Sequence, residues 1–177
     1  MRRTALVGMI AAALLALAGA AYAATVTCEG GDCQGTEEAD EITGSLQSDS
    51  IFADEGDDDV NARTGHDFVR GAEGDDKVDG GGGFDTLRGN RGADRLRGGH
   101  GDDFIFGNDN PSSSGDLPDE RLLDPAPNDE DAVYGGAGFD LIDVNDGDGD
   151  DYVDCGTGGA FVSADKRDVL DCEGVLR

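Results

Sequence analysis

An aspartate recurs every nine residues eight times in succession, at Asp40, Asp49, Asp58, Asp67, Asp76, Asp85, Asp94 and Asp103. Two residues after each stands an aliphatic side chain, in order Ile42, Ile51, Val60, Val69, Val78, Leu87, Leu96 and Ile105. Two residues before it, in six of the eight units, stands a glycine: Gly56, Gly65, Gly74, Gly83, Gly92 and Gly101. A unit this short, with one aliphatic position, cannot bury a core alone. The register therefore demands that neighbouring units stack into a solenoid.

The unit Gly80 to Arg88 shows how nine residues divide. Gly80 to Asp85 reads as a turn, because its glycines adopt backbone angles that other residues resist. Thr86 to Arg88 has room for a three-residue strand, with Leu87 inward and its neighbours outward. Nine residues then make half a coil and eighteen a whole one, and units of the same parity stack. The expected fold is all-β, with two parallel sheets each glued by a single line of aliphatics.

Parity also sorts the carboxylates. Asp40, Asp58, Asp76 and Asp94 share one edge, and Asp49, Asp67, Asp85 and Asp103 the other. Calcium takes about six to eight oxygens and mixes carboxylates with backbone carbonyls, which glycine-rich turns expose. Without a cation each ladder stacks like charges in a partly desolvated turn, so folding and calcium binding should be one event.

The pattern GGxGxDxUx is complete at Gly80 to Arg88, Gly98 to Phe106 and Gly135 to Asp143. It resembles the RTX, or haemolysin-type, calcium-binding nonapeptide repeat. The resemblance covers residues 35–154 with one interruption, and implies a parallel β-roll with calcium ions between successive turns of the same edge. The candidate metal ligands are Asp58, Asp67, Asp76, Asp85, Asp94, Asp103, Asp131 and Asp140. Further oxygens are expected from the turn carbonyls of Gly71, Gly80, Gly82, Gly89, Gly98, His100 and Gly135. The best turns belong to Asp76, Asp85, Asp94, Asp103 and Asp140, where Asn90 can stand for a glycine because asparagine tolerates the left-handed conformation. The turns before Asp49 (Gly44 to Gln47) and Asp67 (Ala62 to Gly65) are poorer, and the first coil reads as a cap more than as a strong site.

From Asn110 to Asp129 the register fails, in a stretch that holds all four prolines, Pro111, Pro118, Pro125 and Pro127. Residues 110–130 read as an excursion loop, with one helical turn around Glu120 to Leu123. Register resumes at Asp131 and Asp140, and Asp151 with Val153 follows after two extra residues. The acidic run from Asp146 resembles the start of an EF-hand loop, yet its twelfth position is Thr157 instead of glutamate. The chain thus divides into an N-terminal cap (24–34), repeats (35–109), the excursion, further repeats (131–154) and a C-terminal cap (155–177).

Arg2 and Arg3 precede an uncharged, Ala- and Leu-rich run from Thr4 to Ala20, then Ala21, Tyr22 and Ala23. Residues 1–23 read as a secretory signal peptide cut after Ala23. A membrane anchor would want about 20 apolar residues and no cleavage-like end, and Thr27 and Val26 do not suit a lipid site at Cys28. Removing residues 1–23 from the 177 leaves 154; taking Arg2 and Arg3 from the 13 basic residues leaves 11 against 40 acids, a net charge of −29. That balance argues against nucleic acid and against insertion into anionic membrane. A solvating acidic chain or a salt-adapted surface would scatter its acids, whereas these are strictly spaced.

Four cysteines in a secreted chain imply two disulfides with three connectivities. Cys155 and Cys172 lie 17 residues apart, close to one coil, and so nearly above one another. Strand spacing of about 4.7–4.9 Å suits a disulfide's Cα separation of about 4.4–6.8 Å. The expected pairs are Cys28 with Cys33 and Cys155 with Cys172, one staple at each end.

One outer face carries Glu41, Asp59, Lys77, Asp79, Arg95 and Arg97; the other carries Phe52, Phe68, Phe104 and Phe106, four of the seven phenylalanines. Such an apolar face should be covered, by the 110–130 excursion or by the C-terminal segment. Catalytic signatures are missing: His66 and His100 sit at variable turn positions, and neither GxSxG nor HExxH occurs. The expected function is a secreted, extracellular, non-catalytic calcium-binding protein used for calcium binding, envelope scaffolding or adhesion to a surface ligand. The alternative is a remnant or tail of a secreted hydrolase or toxin system.

Overall fold

The computed structural model describes residues 24–108, 130–145, 151–164 and 166–172. The signal segment, the proline-rich excursion with its expected helical turn, and the acidic run from Asp146 to Asp150 lie outside the described residues.

Sixteen strands follow one another without a helix among the described residues. They are β1 (Thr25–Thr27), β2 (Gly31–Gln34), β3 (Glu41–Thr43), β4 (Asp49–Glu55), β5 (Asp59–Asn61), β6 (Thr64–Gly65), β7 (Phe68–Glu73) and β8 (Lys77–Gly83). Then come β9 (Thr86–Arg91), β10 (Arg95–His100), β11 (Phe104–Asn108), β12 (Ala132–Ala137), β13 (Asp140–Val144), β14 (Tyr152–Asp154), β15 (Ala160–Ala164) and β16 (Val169–Asp171). The first sheet runs β1-β3-β5-β8-β10-β12-β14-β16, with β6 beside β8; the second runs β2-β4-β7-β9-β11-β13-β15. The pairings are parallel, for example Val60 opposite Val78 and Val69 opposite Leu87, eighteen residues apart. The chain is a parallel β-solenoid of about seven turns.

One aliphatic per repeat forms the central line of the core, as the period requires, and Ala53, Ala62 and Val144 are buried beside it. Ile42, Val60, Val78, Leu96, Val133 and Val153 stack from the first sheet, and Ile51, Val69, Leu87, Ile105 and Ile142 from the second, all buried. Leu96 pairs with Val133, 37 residues on, so the excursion adds nineteen residues to the eighteen of a coil without disturbing the stack.

The strands are longer than the three residues expected. β8 runs through all four glycines of Gly80 to Gly83, and Gly99 and His100 of β10 lie opposite Gly81 and Gly82. Turns of identical shape stack like strands, so their amides also find partners in the next coil.

Both disulfides join the expected partners, with Cα separations of 5.7 Å for Cys28–Cys33 and 5.0 Å for Cys155–Cys172. Among the described residues, the C-terminal segment up to Cys172 does not cross the phenylalanine face. β15 extends the second sheet and β16 the first, so residues 155–172 form the last coil. The rings instead shield one another: Phe52 lies 5.8 Å from Phe68, Phe84 5.6 Å from Phe104 and Phe139 5.2 Å from Phe161. The Arg88 guanidinium sits between Phe68 and Phe106, at 5.9 and 5.4 Å from the ring centroids. Phe52 and Phe104 nonetheless remain 37% exposed. On the opposite face Lys77 pairs with Asp59 at 2.6 Å and Arg97 with Asp79 at 3.6 Å, exposed pairs that contribute little.

Candidate metal centre

Where the chain leaves a turn and enters a strand, the backbone N–H of each ladder aspartate donates to a carboxylate oxygen in the following coil. On one edge Asp40 donates to Asp58 Oδ1 at 2.7 Å, Asp58 to Asp76 at 2.9 Å, Asp76 to Asp94 at 2.9 Å, Asp94 to Asp131 at 2.8 Å and Asp131 to Asp151 at 2.9 Å. On the other, Asp49 donates to Asp67 at 2.8 Å, Asp67 to Asp85 and Asp85 to Asp103 at 2.9 Å, and Asp103 to Asp140 at 3.1 Å. The two edges expected from parity are thus continuous hydrogen-bonded ladders, and the excursion leaves from a turn between Asp94 and Asp131 without breaking its edge.

A backbone acceptor needs only one oxygen, and asparagine would supply it. Yet every one of these rungs is an aspartate. The second oxygens of Asp58, Asp67, Asp76, Asp85, Asp103 and Asp140 are buried and accept no hydrogen bond. A buried acceptor left unsatisfied costs about 1–3 kcal/mol, and more when charged. Such a series calls for a partner from outside the polypeptide.

The second oxygens face a cradle built by glycine. A Cβ on Gly80 would stand 2.7 Å from Asp85 Oδ2 and 2.8 Å from the Gly98 carbonyl oxygen of the next coil. One on Gly135 would stand 2.5 Å from Asp140 Oδ2 and 2.9 Å from the Cys155 carbonyl oxygen. Gly71 likewise adjoins Asp76 Oδ2 with the Gly89 carbonyl, and Gly98 adjoins Asp103 Oδ2 with the Gly135 carbonyl. Carboxylate and carbonyl oxygens therefore converge where no side chain fits, and three of the expected carbonyls, Gly89, Gly98 and Gly135, are among them. Gly82 and His100 are opposite each other in β8 and β10. In the turns of Asp58 and Asp67 the first position is a buried alanine, Ala53 or Ala62.

Among the described residues no group of three or more His, Cys, Asp or Glu side chains is placed to hold a metal ion. A cation held here would take carboxylate and carbonyl oxygens together, the hard-oxygen set that suits calcium. His66 is committed elsewhere, since its Nδ1 accepts the Phe84 N–H at 2.9 Å on the exposed rim.

The first coil is built differently. Asp40 Oδ2 accepts the Thr36 N–H at 2.6 Å and the Thr36 hydroxyl at 3.1 Å, while its Oδ1 accepts the Ala24 N–H at 3.0 Å. Asp49 Oδ2 accepts the Ser45 N–H at 2.7 Å, and its Oδ1 the Ser45 hydroxyl at 3.2 Å. Thr36 and Ser45 occupy the second turn position, which is left-handed at Asp54, Arg63, Ala72, Gly81 and Asn90 but not at these two. That difference aims their amides at the carboxylate and closes it internally.

Electrostatics follow from burial. Burial pushes Asp76 and Asp103 up to about 7 and Asp58 and Asp67 up to about 6, against the opposing pull of the amide bond. Carboxylates one coil away push the same way, Asp58 on Asp76 and both Asp85 and Asp140 on Asp103. Burial also raises Asp85 and Asp140.

Two further rungs were not among the candidate ligands, although the sequence places Asp151 in an irregularly spaced repeat. Asp151 is fully buried and accepts the Asp131 amide, and Asp168 accepts the Asp151 amide at 3.4 Å. Both stand two residues before an inward aliphatic, Val153 or Leu170, a signal that survives irregular spacing.

The family described as RTX calcium-binding nonapeptide repeat (4 copies) matches residues 34–69, 55–87 and 79–110. Residues 34–110 are RTX calcium-binding nonapeptide repeats. The stacked, buried aspartates fit the calcium binding of RTX repeats. The same rung geometry continues past the matched RTX segment through Asp131 and Asp140. No curated protein and no solved structure matches the chain.

Proposed function

We propose that this chain is a secreted, non-catalytic protein whose β-roll folds around calcium ions held between stacked turns. The observation that carries the reading is the series of buried Oδ2 atoms without a protein donor at Asp58, Asp67, Asp76, Asp85, Asp103 and Asp140. Asp76, Asp85, Asp103 and Asp140, with the carbonyls of Gly89, Gly98, Gly135 and Cys155, have both parts of the oxygen set. Asp94 adjoins Gly89 with the Gly107 carbonyl in the same arrangement, and Asp131 Oδ2 adjoins Gly107. Asp58 and Asp67 complete the set of eight, and Gly71, Gly80, Gly82 and His100 offer further turn carbonyls. Calcium, when bound, supplies the positive charge that these carboxylates lack. The rungs themselves hold neighbouring coils in register through their Oδ1 atoms, whichever ion is present.

Cleavage after Ala23 would release the repeats, excursion and end caps into an oxidising compartment where both disulfides persist. The chain's role there is calcium binding coupled to an envelope scaffold or adhesive surface, with the phenylalanine-bearing second sheet as the face for a surface ligand.

Far-UV circular dichroism tests the metal-coupled fold. Coil in chelator and β-structure on adding calcium in the millimolar range, typical of extracellular modules, are expected. A spectrum unchanged across that titration rules the proposal out.

A further inference from the structure

The ladder through Asp40 does not stop at Asp40. β1 pairs with β3 so that Thr25 faces Glu41, which places Ala24 opposite Asp40. Ala24 then makes both bonds of a rung. Its N–H donates to Asp40 Oδ1 at 3.0 Å, as the Asp40 N–H donates to Asp58 Oδ1, and its carbonyl accepts the Glu41 N–H at 2.8 Å, as the Asp40 carbonyl accepts that of Asp59. The backbone nitrogen that caps this edge belongs to the residue that follows the expected scissile bond.

We propose that hydrolysis of the Ala23–Ala24 bond completes this site, and that the α-ammonium of Ala24 forms a buried-edge ion pair with Asp40 that ends the carboxylate ladder. Water adds across the bond under a signal-processing peptidase. Ala23 leaves with the new carboxylate, and the Ala24 nitrogen keeps its electron pair and takes protons to become the ammonium. Three observations support the pairing. Asp40 is only 4% exposed. The donors that reach it are Ala24 and Thr36, none of them charged while the chain is uncut. Below it the next carboxyl groups, Asp58 and Asp76, continue the same ladder. A buried carboxylate at the end of such a ladder gains most from a cation, and a charge-assisted bond is roughly twice as strong as a neutral one. Maturation would thereby be coupled to the stability of the roll: the uncut precursor carries an amide where the mature chain carries a charge.

The proposal rests on the secretion reading only for the cleavage, and the two parts are tested separately. The full chain is expressed for export and its N-terminus determined by mass spectrometry. Ala24 as the first residue is expected, and any other terminus overturns processing at this bond. On the mature protein, N-terminus-specific transamination then converts the amine to a ketone and leaves every side chain in place. In calcium, this should lower the melting temperature by about 3–6 °C, and by much less once Asp40→Asn has removed the partner charge. If Ala24 is not the natural terminus, a site-specific protease cut introduced before Ala24 supplies the same amine for the same measurement. An unchanged melting temperature after transamination of the unsubstituted protein overturns the ion pair, whatever the calcium titration shows.

Discussion

The first coil and the central coils carry the same aspartate at the same place and use it in opposite ways. In the first coil Thr36 and Ser45 turn amide and hydroxyl donors onto Asp40 and Asp49, so the carboxylates are satisfied from within. In the central coils the second turn position is left-handed, and the outer oxygens of Asp76, Asp85 and Asp103 are left buried and unbonded. The second coil lies between: Asp58 and Asp67 have orphan oxygens, but Ala53 and Ala62 stand where later turns have glycine. One repeat therefore yields an internally closed cap and externally completed sites, and a single residue two places into the turn makes the difference.

The largest test of that contrast is steric. The fourth turn position in the central coils is pressed by the coil before it: a Cβ on Gly83, at φ +139°, would overlap the Gly65 carbonyl oxygen. The same position in the first coil holds Glu38 and Gln47. Gly83→Ala should cost more than about 4 kcal/mol, whereas Gln47→Ala should stay within about 0.5 kcal/mol. Chemical denaturation in saturating calcium measures both, and equal losses would remove the distinction.

Next in size is the response to calcium. Replacing Asp85 and Asp103 together with asparagine preserves an acceptor for the backbone bonds but removes both anionic outer oxygens, and should weaken apparent calcium affinity at least about tenfold. The same exchange at Asp40 and Asp49 should lower the melting temperature in saturating calcium while shifting the calcium midpoint by no more than about twofold. Calorimetric titration separates the two outcomes; matching shifts in midpoint would contradict the internal closure of the first coil.

A smaller effect is expected from pH. Carboxyls raised to about 6 at Asp58 and Asp67 and about 7 at Asp76 and Asp103 hold more protons folded than unfolded, where the ordinary value is 3.8. Their contribution to the metal-free fold is therefore fully present below about 4 and is lost as pH rises through 6 to 7. Metal-free protein should gain β-structure on acidification from pH 7.5 to 5, while calcium, competing with those protons, should bind less well at pH 5. Hydrogen exchange resolved by segment would place the pH-dependent gain in the central coils. A gain confined to the first coil would run against the geometry.

The smallest change concerns backbone strain in the transition between the two regions. Ala72 is held at φ +112° in the position that Gly81, Gly99 and Gly136 fill elsewhere. Ala72→Gly should stabilise the roll by about 1 kcal/mol, read as a modest rise in melting temperature; a fall would show that the methyl group packs usefully.

Much of this was legible from spacing. The nine-residue period placed Ile42, Val60 and Val78 in one line and Ile51, Val69 and Leu87 in another, and the near-coil separation of Cys155 and Cys172 matched the disulfide. Asn90 is left-handed, as its place in the turn required. Strand length was misjudged at β8 and β10, because glycine marks a bend in one coil and says nothing of the pairing that stacked bends can make. The last coil was harder to see, since Ala160 replaces the aspartate of its edge and Asp168 follows an irregular turn.

The sequence by itself determined the period, the parity of the two sheets, the core line and the edge on which each carboxylate lies, because all of these follow from chain geometry repeated every eighteen residues. Only the tertiary structure decided which oxygen of each carboxylate is already satisfied. That depends on donors arriving from another coil, from the second turn residue or from Ala24, and on φ values that two chemically similar turns do not share.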